Sequence, residues 1–146
     1  MYLLDTNVVS ELRRSTRCDA SVAAWAASAD PQRQFLSVIS VLELQIGVMR
    51  VERRDAASGA LLRQWLDERV LVTFADRILP IDTVVARTCA ALHVPDPRPE
   101  RDALIAATAL HHRLSIVTRN VKDFAGLNVF VLNPWDPKAL TGSEQG

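Results

Sequence analysis

The stretch that most limits the fold is the first seven residues, Met1-Tyr2-Leu3-Leu4-Asp5-Thr6-Asn7. A short apolar run ends abruptly in an acid, a hydroxyl and an amide. That pattern predicts a buried strand whose carboxyl end delivers Asp5 into a polar crevice. Further short apolar runs stand at 35–38, 71–74, 78–81, 114–117 and 129–132, with helical patterns between them. Strands alternating with helices predict an α/β fold, a three-layer α/β/α sandwich around a central, mostly parallel sheet. Ligands in such folds bind beyond the carboxyl ends of the strands. The residues just past each strand therefore matter most.

The helices are read from apolar spacing and caps. Thr6 or Asn7 is expected to cap a short helix to about Arg14. A small arginine-bearing loop, Ser15 to Cys18, leads to a helix over Asp19–Ala29, closed by Asp30-Pro31. Ser40 and Glu43 match a capping box, which starts a helix at Val41 running towards Glu52. Gly47 in it permits close approach. A second amphipathic helix spans Ala56 to Val70, with Leu61, Leu62, Trp65 and Leu66 on its apolar side. The pair forms a hairpin suited to dimer contacts. Asp82 or Thr83 caps the next helix. The loop Val94-Pro95-Asp96-Pro97-Arg98-Pro99 is stiff, and Pro99 falls in the first turn of a helix over Glu100–His112. That helix is apolar almost all round and is expected to lie deep. Val121–Phe124 is a turn or short helix ended by Gly126.

The chain of 146 residues is expected to be one domain. Residues 135–146 form its peripheral tail, with Trp135 pinned back on the body and 138–146 frayed. Hydrophobic residues make up 49% of the chain, which excludes a disordered polypeptide. Seventeen basic residues balance 17 acidic ones, which argues against a strongly basic nucleic-acid binder. A nuclease stays open, because clustered acids mask a basic rim. The basic set is almost all arginine, with lysine only at Lys122 and Lys138. Cys18 and Cys89 read as free thiols of a reducing compartment. With no secretory pattern and no stretch of membrane-spanning length, the expected location is the cytoplasm.

Four acids occupy special positions. Asp5 ends the first strand. Glu43 stands early in an apolar helix. Asp102 is in the first turn of the most hydrophobic helix. Asp123 lies five residues past Thr118, after the buried strand at 114–117. Each has a structural reading: a capping box for Glu43, the helix dipole for Asp102, an ordinary turn for Asp123 and a cap on the next helix for Asp5. Gathered near strand ends, they would repel one another until protons or cations intervene. An all-oxygen site suits Mg²⁺ or Mn²⁺. No Cys or His cluster competes. His93, His111 and His112 read as surface residues, the last two facing different directions. Such a site suits phosphodiester hydrolysis. Asp5 and Asp102 are the expected direct metal ligands, with Glu43 and Asp123 acting through water or completing a second position. Thr6, Thr118 and Asn120 can orient waters or a phosphate, and Asn7 supports them. Arg13, Arg17, Arg98, Arg101, Arg119 and Lys122 can touch a nucleic-acid backbone. Rival readings are a Mg²⁺-dependent phosphatase, a phosphoacceptor domain and a non-catalytic RNA-binding module. No Gly-rich loop follows a strand, which disfavours a P-loop or dinucleotide enzyme.

Four segments carry a resemblance. Leu3-Leu4-Asp5-Thr6-Asn7, Ser40-Val41-Leu42-Glu43-Leu44 with Gly47, Asp102-Ala103-Leu104-Ile105-Ala106-Ala107-Thr108-Ala109, and Thr118-Arg119-Asn120-Val121-Lys122-Asp123-Phe124 resemble, in order, the motifs of the PIN-domain family, and within it the VapC-type toxins of bacterial toxin–antitoxin pairs. The resemblance covers about Met1 to Pro134. It implies a Mg²⁺- or Mn²⁺-dependent endoribonuclease that leaves a 3′-hydroxyl and a 5′-phosphate. It also implies a homodimer, and a small antitoxin whose C-terminal segment covers the acidic cleft. The proline-rich approach to Asp102 departs from the family pattern.

Overall fold

The structure, a computed structural model, describes residues 1–138, so most of the segment expected to fray lies outside the described residues. Its frame is a five-stranded, all-parallel sheet in the order β3-β2-β1-β4-β5. The strands are β1 (Tyr2–Leu4), β2 (Gln34–Ser37), β3 (Ile78–Leu79), β4 (Ser115–Val117) and β5 (Val131–Leu132). In β1, Leu3 lies opposite Phe35 and Ile116. Alternation sends successive side chains to opposite faces. Leu4, Leu36 and Val117 pack on one face with Val8, Trp25, Leu44 and Val48. Leu3 and Ile116 pack on the other with Ile105, Ala106 and Phe124. Both faces are covered by helices, as a parallel sheet requires, and the result is the expected three-layer sandwich.

The chain leaves β1, builds outward through β2 and β3, then returns to lay β4 on the opposite side of β1. The sheet order therefore reverses between β1 and β4. That switch point is where an open α/β sheet has a crevice beyond its strand ends. Asp5 and Thr118 are the first residues past those two strands.

The helices are α1 (Thr6–Leu12), α2 (Ala20–Ser28), α3 (Val38–Arg54), α4 (Ala56–Trp65), α5 (Leu71–Thr73), α6 (Thr83–Leu92) and α7 (Glu100–His112). Their starts correct several expectations. Asp5 itself caps α1, accepting a hydrogen bond from the Thr6 N–H at 2.8 Å. α3 begins at Val38, and Ser37 caps it through the Ile39 N–H at 3.0 Å. Ser40 is inside the helix and fully buried. The capping box is thus absent, and Glu43 lies in the second turn. Pro99 is the residue before α7, not in its first turn. Asp82 caps α6.

The expected strand at 71–74 is helical. α4 continues through a wide π turn, Leu66–Val70, into α5. The reason is spacing: Leu62, Leu66, Val70 and Phe74 recur every four residues and pack on one core. Val72, which alternation would bury with Val70, is 66% exposed.

Close approach within the α3–α4 hairpin depends on Gly59, not on Gly47. Gly47 faces open space, whereas a Cβ on Gly59 would collide with the Glu52 backbone. Helix propensity favours Gly59→Ala by up to about 1 kcal/mol. Overpacking against backbone costs about 1–3 kcal/mol. The clash should win, and thermal unfolding of Gly59→Ala is expected about 2–4 °C below the parent. An unchanged or raised Tm would show that the two helices part without penalty.

α7 lies deep, with Ala103, Ile105, Ala106, Ala107, Thr108 and Ala109 buried. Cys18 and Cys89 are free thiols. Trp135 packs against the core, as expected. The histidines differ from expectation: His93 and His112 are half-buried, and the His111 and His112 rings meet edge to face at 4.6 Å. Among the described residues, no helix is long and apolar enough to cross a membrane.

Candidate active site

The site grows from the ends of β1 and β4. Asp5 is only 7% exposed, so its carboxylate needs partners. One oxygen caps α1. The other accepts from the Thr118 hydroxyl at 2.8 Å and from the Asn7 amide at 3.3 Å. Thr118, fully buried, uses its remaining capacity by accepting from the Asn7 side chain at 3.1 Å and from the Asn120 N–H at 3.0 Å. The Asn7 carbonyl oxygen accepts from the Arg119 N–H at 3.2 Å. This closed network fixes the Asp5 rotamer and ties the two strand ends together. Burial pushes the Asp5 carboxyl above its usual range, Thr118 and the Thr6 N–H oppose that, and the charge on Asp123 adds to it.

Glu43 is brought to the same crevice from α3. It accepts from the Thr6 hydroxyl at 2.9 Å, and its other oxygen stands 3.9 Å from the Arg101 guanidinium. Thr6 and Asn7 are consecutive residues that hold different acids, which a helical first turn makes possible. Asp102 enters from the first turn of α7, where no side chain caps the helix. Its carboxyl is pushed up to about 6, first by burial and then by the charges of Asp123, Asp5 and Glu43. All four predicted acids thus act on one crevice. Asp123 reaches it from the exposed short turn Val121–Phe124.

They do not close into a cage. Among the described residues, no three His, Cys, Asp or Glu side chains are gathered closely enough to hold a metal ion. Asp5 and Glu43 are engaged by their own hydroxyl, amide and arginine partners, and like charges repel. The donors still fit a hard divalent cation in kind. They are carboxylates and neutral oxygens with no thiolate or imidazole among them, and the charges of Asp123, Asp5 and Glu43, which add to burial in raising the Asp102 carboxyl, are ones a cation would offset.

The basic residues divide. Arg101 and the Arg119 backbone belong to the crevice, and the Arg119 guanidinium lies 5.2 Å from the Trp135 ring centre. Lys122 is exposed beside Asp123. Arg13 is at the far end of α1, 5.8 Å from the Trp65 ring centre, and Arg17 is exposed in a separate turn. Arg98 is in the proline loop, donating to the Ala125 carbonyl at 3.1 Å. The pairing of Thr6 and Arg101 with Glu43 was not foreseen. Its partners are 37 and 58 residues away in sequence, and no local pattern marks them.

A PIN domain family model matches residues 2–127. The chain is 38% identical to Toxin FitB of Neisseria gonorrhoeae, over 92% of this chain and 99% of that one. It is 32% identical to VapC ribonuclease Y4jK of Sinorhizobium fredii, over 94% and 99% respectively. The fold superposes on a solved structure of FitAB bound to an IR36 DNA fragment with a TM-score of 0.83 and 35% identity, covering 93% of this chain and 96% of the other.

Proposed function

The chain belongs to the PIN-domain family and, within it, to the VapC-type toxins of toxin–antitoxin systems, and from that premise we propose that it is a metal-dependent endoribonuclease whose cleavage of RNA stops growth. The observation that carries the reading is that Asp5, Glu43 and Asp123 act together on Asp102 in one crevice, where burial and their charges push its carboxyl up to about 6. Structural helix caps do not need such crowding. Asp5 and Asp102 would hold Mg²⁺ or Mn²⁺ directly, and Glu43 and Asp123 would reach it through water or complete a second position. The chemistry a bound cation supplies is a lowered pKa for water and relief of the charge that builds on the phosphate.

The protein's own groups prepare that step. Thr118 and Asn7 hold Asp5 in one rotamer, and Thr6 holds Glu43. Arg101, Arg119 and Lys122 surround the crevice with positive charge for phosphates on either side of the cut. The working unit is a single nuclease domain over the whole chain. It acts in the cytoplasm as a homodimer and is silenced by an antitoxin whose C-terminal segment covers the crevice. Leu42 and Met49 on α3 and Leu61 on α4, exposed by 45%, 55% and 68%, offer apolar surface for the second copy.

The test is brief expression in cells followed by sequencing of RNA 5′-phosphate ends. New ends at a defined sequence are expected within minutes of induction. An RNA population indistinguishable from that of uninduced cells, with the protein present and folded, would remove the ribonuclease reading.

A further inference from the structure

A cavity of about 320 Å³ lies between the proline loop that leads to α7 and the loop after Asp123. Its walls include Leu92, Pro95 and Leu127, with Asp96, Arg98 and Asn128 as polar groups. We propose that this cavity is a subsite for one nucleobase of the RNA strand, next to the scissile phosphate, and that it prefers guanine. The inference rests on the ribonuclease reading and extends it to sequence choice.

Position argues for it first. Arg98 is four residues before Asp102, and Ala125, which Arg98 bonds, is two residues after Asp123. At 3.8 Å per residue, at most about 15 Å of chain separates Arg98 from Asp102, and at most about 11 Å separates Gly126, the lining residue next after Ala125, from Asp123. A base there belongs to a nucleotide near the cut, not to a distant part of the RNA. Size argues next. Small-molecule pockets span about 300–1,000 Å³, so this cavity, at the lower end, suits one ring system and not an extended peptide. The wall is also built in advance. The Arg98 N–H donates to His93 Nδ1 at 3.1 Å, its guanidinium donates to the Ala125 carbonyl at 3.1 Å, and Pro95 and Pro97 stiffen the loop between His93 and Arg98.

Chemistry then selects the base. Arg98 has only donors to offer, and one of its five N–H groups is committed to Ala125. Guanine presents two acceptors, O6 and N7, on one edge, the commonest partner of an arginine. Its adjoining Watson–Crick edge carries the N1–H and N2–H donors, which suit the Asp96 carboxylate. Adenine places a donor beside N7 and meets Arg98 less well. The apolar side chains of Leu92, Pro95 and Leu127 cover the base faces.

The experiment cleaves a randomised single-stranded RNA pool with the purified full chain in Mg²⁺ or Mn²⁺ and sequences the products. The parent is expected to enrich guanine at one position within two nucleotides of the cut. Arg98→Ala should reduce that enrichment about tenfold, the loss of one good bidentate contact, while cutting continues. Because Arg98 also braces the loop after Asp123, Asp96→Ala is the second variant. It is exposed, should fold as the parent does, and should relax the same position. Cutting by the parent with an unchanged base profile in both variants overturns the subsite and leaves the ribonuclease reading standing. A change in antitoxin affinity without a change in base profile also overturns it. A parent that cuts no RNA overturns both readings together.

Discussion

Asp5→Asn is expected to yield a folded protein that has lost the proposed cleavage of RNA. The fold should survive because asparagine caps a helix as well as aspartate does, so the Thr6 N–H keeps its acceptor. The second oxygen becomes an amide facing Thr118, whose hydroxyl already accepts from Asn7 and from the Asn120 N–H. Two hydrogen bonds are lost there, from the Thr118 hydroxyl and from the Asn7 amide, about 1 kcal/mol each. Against it, the variant removes a buried charge whose carboxyl is held above its usual range by burial. The two effects offset, and circular dichroism and Tm should stay close to the parent. Activity should not. Losing a partner that merely orients a metal ligand costs about 10–100-fold, so losing the ligand itself should exceed about 100-fold in the rate of Mg²⁺-dependent cleavage. A purified Asp5→Asn protein that cuts as fast as the parent would mean that the reaction occurs elsewhere.

Asp102→Asn separates function from stability in the opposite sense. The folded carboxyl titrates at about 6, against an ordinary value of 3.8. Between those values the folded chain keeps a proton that the unfolded chain releases, so stability falls as pH rises through that window. Above about 6 the whole penalty is present; below about 3.8 none is. Asparagine removes it. At pH 7.5 the variant should therefore be more stable than the parent, by about 1 kcal/mol once the partial solvent exposure of Asp102 is allowed for, or about 2–4 °C in Tm. Near pH 3.5 the difference should vanish. Saturating Mn²⁺ should raise the parent more than the variant, because a ligand that binds only the folded state stabilises it by mass action. Cleavage by the variant should fall with that of Asp5→Asn. Equal stability at both pH values would show that burial and the neighbouring acids do not raise this carboxyl.

The elements that the chain announces are those with local signals. β1 and β4 are short apolar runs stopped by polar residues, and α7 is an alanine-rich stretch after proline; each was legible residue by residue. The sandwich followed from their alternation. Where local signals competed, the nearer pattern misled. Ser37 and Ser40 both precede helical spacing, and only the packing of Ile39 on the far side of the sheet, with Leu3 and Ile105, settles that the helix has already begun. Leu71 to Phe74 is as apolar as a strand, but the stripe from Leu62 to Phe74 is satisfied only by a helix lying on the core.

For the site, the sequence by itself determined which chemical groups are present and that each acid stands just past an apolar element, since strand ends and first turns are written in neighbouring residues. Only the tertiary structure decided who meets whom. Thr118 reaches Asp5 across 113 residues, and Thr6 reaches Glu43 across 37. Those meetings follow from β4 returning to the side of β1, which no local pattern encodes. The same return puts Asp102 within the field of three other carboxylates, and it leaves Arg13 at the far end of α1 while Arg101 lies beside Glu43. Hydrophobic period and capping act over a few residues, whereas charge acts through space, and space is set by strand order.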